Sequence, residues 1–115
     1  MQYLLMLYVN QAGWSKLTPA EQEQGVAAYS AYTGALTKAG VLKGSNRLQP
    51  TTAATTVRMA NGKAQVLDGP YVDSQEQLGG YYRIDVPDHD AAISWAARCP
   101  AASHGVVEVR PVWAM

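Results

Sequence analysis

Residues 2–9, QYLLMLYV, are apolar on both faces that a strand presents: Tyr3, Leu5, Leu7 and Val9 on one, Leu4, Met6 and Tyr8 on the other. A strand patterned this way needs cover on both sides. The segment has no Lys or Arg ahead of it, no small-residue cleavage site close behind, and too few residues to span a bilayer. It therefore reads as a buried first strand, not a leader or membrane segment, and a cytoplasmic location is expected.

The remaining elements follow from local chemistry. Thr18-Pro19-Ala20-Glu21 forms a capping box with proline at the first helical position. Val26, Tyr29, Tyr32, Leu36 and Ala39 then make one apolar helical stripe, and Gly40 stops it. Residues 41–49 read as a second strand interrupted by glycine and polar residues. Asn61-Gly62, between β-prone residues, tolerates the positive φ of a type I′ turn and predicts a hairpin. Residues 80–86 alternate as a half-buried strand. Asp88 caps a second helix whose apolar members are Ala92, Ile93, Ala96 and Ala97, Pro100 prevents its continuation, and residues 106–113 form the last strand. Two helices cover only one face of such a sheet. The expectation is a single domain over residues 1–115: a ferredoxin-like α+β antiparallel sheet with two helices on one face and an extra β-hairpin, its open face packed on a second copy in a homodimer or higher oligomer.

Nine basic and nine acidic residues cancel with no basic stripe, so direct nucleic-acid binding is not expected. Cys99 is alone, which leaves no internal disulfide and no multi-thiolate zinc site. His89 and His104 lack a second ligand at metal spacing, so neither a metal nor another cofactor is expected. His104 would matter if it faced a pocket.

Candidate chemistry gathers around LDGPYVDSQEQLGGYY, residues 67–82. Asp68 either builds the turn with Gly69 and Pro70 or handles a ligand or proton. Glu76 is its partner as a candidate catalytic acid or base; solvated-loop roles for Glu76 and Asp73 stand as the alternative. Arg58, Arg110 and Glu108 share strand faces, two residues apart, with neighbours that could build a polar patch. A guanidinium fork suits a carboxylate or other planar anion, although structural ion pairing would explain the same residues. Tyr71, Tyr81 and Tyr82 bracket the acidic loop, and Tyr71 and Tyr82 are candidate ligand-binding rings; a subunit interface is the alternative.

Together, TTVRMANGKAQVLDGPYVDSQEQLGGYYRIDV, AISWAARCPAASHG and VEVRPV resemble the DGPF-domain branch of the YCII-related proteins. The motif DGPF stands here as Asp68-Gly69-Pro70-Tyr71. The resemblance implies a ferredoxin-like subunit of a dimeric α+β barrel. In the broader group it implies a His and Asp pair in a cleft, with some relatives acting on chlorinated aromatics, and in many bacterial members an association with sigma factors. The first helix here has no histidine, and Gln75 stands where lysine is usual.

Two functions remain open. One is a lyase- or hydrolase-type general acid–base enzyme acting on a small anionic or phenolic molecule near the DGPY loop. The other is a non-catalytic dimeric binding or regulatory protein associated with a sigma-factor-linked stress response. Haem or oxygen chemistry rests on fold alone and lacks an axial ligand.

Overall fold

The doubly apolar segment is strand β1 (Gln2–Val9), and its alternation decides where everything else goes. The computed structural model describes residues 1–114. Four strands pair in the order β2-β5-β1-β6, every neighbour antiparallel, with β2 at Leu42–Arg47, β5 at Gln77–Asp85 and β6 at Val106–Pro111. The two long helices, α2 (Pro19–Lys38) and α3 (His89–Arg98), complete the expected ferredoxin-like α+β arrangement.

Tyr3, Leu5 and Leu7 of β1 are buried with Tyr82 and Ile84 of β5, Leu36 of α2 and Ala92 and Ala96 of α3. Leu4, Met6 and Tyr8 point the other way and are only half-buried. Their cross-strand partners include Arg83 and Tyr81 on β5 and Arg110, Glu108 and Val106 on β6. One face of the sheet thus carries the core and the other stays open.

A core built with tyrosine and no phenylalanine must satisfy hydroxyls. Tyr32 donates to the Trp95 carbonyl at 2.7 Å, and Tyr82 shares a 2.9 Å hydrogen bond with Thr33. The two rings meet edge to face at 5.2 Å.

The capping box at Thr18 and Glu21 forms as expected, and Gly40 follows the helix end with φ +73°. The buried stripe of α2 is narrower than predicted: Tyr32 and Leu36 are buried and Tyr29 packs beside them, while Val26 and Ala39 are exposed. On α3 the inward face is Ala92, Trp95, Ala96 and the following Cys99, and Ile93 and Ala97 point outward. Alanine at four positions left the direction of that face ambiguous; Trp95 resolves it by packing on Tyr32.

Two one-turn helices were not anticipated: α1 (Gln11–Trp14), capped by Asn10, and α4 (Ala101–His104). Pro100 ends α3 as expected but also starts α4, since its fixed φ suits a first helical turn.

The Asn61-Gly62 turn, with φ of 52° and 76°, joins β3 (Thr55–Ala60) to β4 (Lys63–Asp68) as a separate two-stranded sheet. This arm exposes Val57, Met59, Val66 and Leu67. The radius of gyration is 16.1 Å, against about 13 Å for a compact chain of this length, and the molecule is only 18 Å thin along one axis.

Candidate functional site

At one end of the open sheet face β1 and β5 fall out of step: Leu7 pairs with Gly80, but Tyr8 pairs with Leu78. The extra residue, Gly79, makes a β-bulge, a common way to re-aim side chains beside a site. Backbone closeness permits no larger residue at the next position, where a Cβ on Gly80 would lie 2.9 Å from the Asn46 carbonyl oxygen.

The loop before β5 is tied down by amides and hydroxyls. Ser74 Oγ donates to the Glu76 carbonyl, and Gln77 Nε2 donates to the Ser74 carbonyl. The Gln77 Oε1 accepts from the Gln11 backbone N–H at 3.0 Å, while Gln11 Oε1 accepts from the Thr51 N–H at 3.1 Å. Glu76 is therefore held between fixed neighbours. From the other side, Gly105 brings the end of α4 against β1 so closely that an added Cβ would collide with the Tyr8 carbonyl oxygen.

The result is a cavity of about 610 Å³ lined by Tyr8, Asn10, Ser74, Gln75, Glu76, His104 and Val106. A second hollow of about 370 Å³ shares Tyr8, Ser74 and Glu76 with it and is otherwise mainly apolar, walled by Leu48, Ala54, Pro70, Val72 and Leu78. A carboxylate and an imidazole that line one cavity can accept and return a proton.

Of the residues expected from sequence, Glu76 lies in this cleft and Pro70 on its apolar wall. Asp68 is exposed at the root of the arm, opposite Thr55. The DGPY turn is fixed through Gly69, whose φ is +112°: its N–H donates to Ala54 O at 2.8 Å, and its carbonyl accepts from Thr56 Oγ1 at 2.7 Å. Arg58 and Tyr71 pair with each other on the arm, guanidinium over ring at 5.7 Å. Arg110 and Glu108 meet on the open sheet face at 2.8 Å. Tyr82 lies in the core on the covered face. Among the described residues no group of three or more His, Cys, Asp and Glu could hold a metal, and no helix is long and apolar enough to cross a membrane. His104, which would matter if it faced a pocket, lines the cleft from the end of α4, and Tyr8 is the residue that spacing could not single out, because it reaches the cleft through strand pairing.

The model of the YCII-related domain matches residues 1–115. This chain belongs to the YCII-related family. It is also similar to an uncharacterised protein of Rhizobium meliloti (strain 1021), 37% identical over 114 residues that cover 97% of this chain and 92% of that one. The imidazole that lines this cleft comes from the end of α4, and α2 contains no histidine.

Proposed function

We propose that this protein binds a small molecule in the cleft beside β1 and acts on it by general acid–base chemistry of the lyase or hydrolase type. One observation carries the reading: Glu76 and His104, 28 residues apart in sequence, line the same cavity with Tyr8 between the neighbouring strands. Glu76 takes a proton from the bound molecule and His104 returns one, while Ser74, Asn10 and Tyr8 orient it.

The Asp68-Gly69-Pro70-Tyr71 turn supports membership of the DGPF branch, and the single buried thiol of Cys99 fits a reducing cytoplasm. A homodimer belongs to the same reading. The half-bare face of Leu4, Met6 and Tyr8, together with the thin, extended shape, calls for a second copy. The exposed apolar arm favours a second reading, a non-catalytic dimer whose arms hold a regulatory protein.

A thermal-shift and calorimetric screen of small acids, phenols, amines and alcohols tests the first reading on wild type, Glu76→Gln and His104→Asn. A hit that is lost in both variants, at unchanged melting temperature of the free proteins, is the expected result. Hits indifferent to both substitutions, or none, would overturn it and favour the arm.

A further inference from the structure

We propose that the cleft selects an amine with an apolar body: a cationic ammonium head beside Glu76 and a hydrocarbon portion laid along the second hollow. The inference rests on the reading of the cleft as a small-molecule site and deepens it by naming the ligand class.

Charge comes first. Among the described residues that line the two hollows, Glu76 carries the one carboxylate, and no Lys or Arg is present. The guanidinium groups that would hold an anion lie elsewhere, Arg58 over Tyr71 on the arm and Arg110 beside Glu108 on β6. An anion placed at Glu76 meets like charge with no Lys or Arg in either hollow to offset it; an ammonium meets a carboxylate on a half-buried residue. The remaining polar groups agree. Asn10, Gln75 and Ser74 offer neutral oxygen acceptors for the three ammonium hydrogens, and Tyr8, which lines both hollows, adds an aromatic ring.

Shape comes second. Tyr8, Ser74 and Glu76 belong to both hollows, so the two adjoin at these three residues. Leu48, Ala54, Pro70, Val72 and Leu78 wall the second hollow and offer little to a polar group. A ligand filling both is amphipathic, with its charge at the Glu76 end.

Isothermal titration calorimetry with propylamine, hexylamine, hexanol and hexanoate provides the test. Hexylamine should bind at least about tenfold more tightly than hexanol or hexanoate, an ion-pair preference of ordinary size. Each added CH₂ should raise affinity by about fourfold as it leaves water. Glu76→Gln should abolish the preference for amine over alcohol. Val72→Asn, at an exposed position on the apolar wall, should flatten the chain-length dependence without altering the melting temperature. Hexanoate binding as well as hexylamine, an amine affinity indifferent to Glu76→Gln, or no effect of chain length would overturn the proposal. If hexanoate or hexanol binds in a way that depends on Glu76 and His104, the amine inference falls and the small-molecule reading stands. If no compound of any class binds, both fall.

Discussion

Glu108 and Arg110 stand two residues apart on β6 and meet on the open face of the sheet, Oε2 to Nη2 at 2.8 Å, opposite Met6 and Leu4. That oxygen is sealed from water yet lacks the angle of a directed hydrogen bond, so the guanidinium is its electrostatic partner. An ion pair on a wet surface is worth about 0–1 kcal/mol. If the proposed second copy covers this face, a double-mutant cycle of Glu108→Gln and Arg110→Met should give a coupling above about 1 kcal/mol. A value within the wet-surface range means that the face stays in water.

The same covering predicts mass and surface dependence. Light scattering should return twice the 12.4 kDa chain mass. Met6→Lys, which puts a charge on the half-buried open face, should shift the protein towards monomer while circular dichroism stays native. A monomeric wild type at micromolar concentration would remove the second copy from the account.

The arm depends on its turn. Asn61 and Gly62 both hold positive φ, and Gly62→Ala imposes a left-handed alanine at about 1 kcal/mol. Hydrogen exchange should quicken across Thr55–Asp68 and stay slow in β1 and β5, since the arm forms its own sheet. Uniform quickening would show that arm and body unfold as one unit.

Gly105→Ala drives a methyl group into the Tyr8 carbonyl oxygen. A loss of about 1–3 kcal/mol in stability is expected from overpacking, along with displacement of His104 from the cleft. Urea melts measure the first effect, and the histidine ring resonances of the variant report the second. Wild-type stability with unmoved resonances would mean that the backbone relaxes there at no cost.

Burial pushes the Tyr29 phenol up to about 12, reinforced by the nearby Cys99 thiol, and moves Tyr32 and Tyr82 in the same direction, with the Thr33 hydrogen bond opposing the shift at Tyr82. The folded chain holds these protons more tightly than the unfolded one. Their contribution to stability is complete below pH 10 and declines as pH rises from 10 towards 12. Late-appearing phenolate absorbance should coincide with loss of native circular dichroism, and Tyr29→Phe should move the alkaline transition upward. Phenolate formation at these rings in a fully native protein would contradict the burial argument.

Local rules were legible wherever a few adjacent residues decide the geometry. The Thr18 capping box, the left-handed pair at Asn61-Gly62, the Asp88 cap and the alternation of β1 and β5 each depend on neighbours within about four positions. The inward face of α3 was not legible, because an alanine-rich helix offers little contrast between faces until Trp95 meets Tyr32.

The sequence by itself determined the longer helices and strands, the antiparallel α+β class and the presence of an unsatisfied sheet face, since hydrophobic periodicity and backbone sterics act over short stretches. Tertiary structure alone decided which charged residues share a site. Arg58 and Asp68 went to an arm outside the main sheet, Glu108 and Arg110 to the open face, and Glu76 to a cleft with His104. Period-two alternation fixes the side on which a residue points, but not which strand lies next to it. Strand neighbours follow from burying the β1 core face, and the bulge at Gly79 and the close approach of Gly105 then set the cleft.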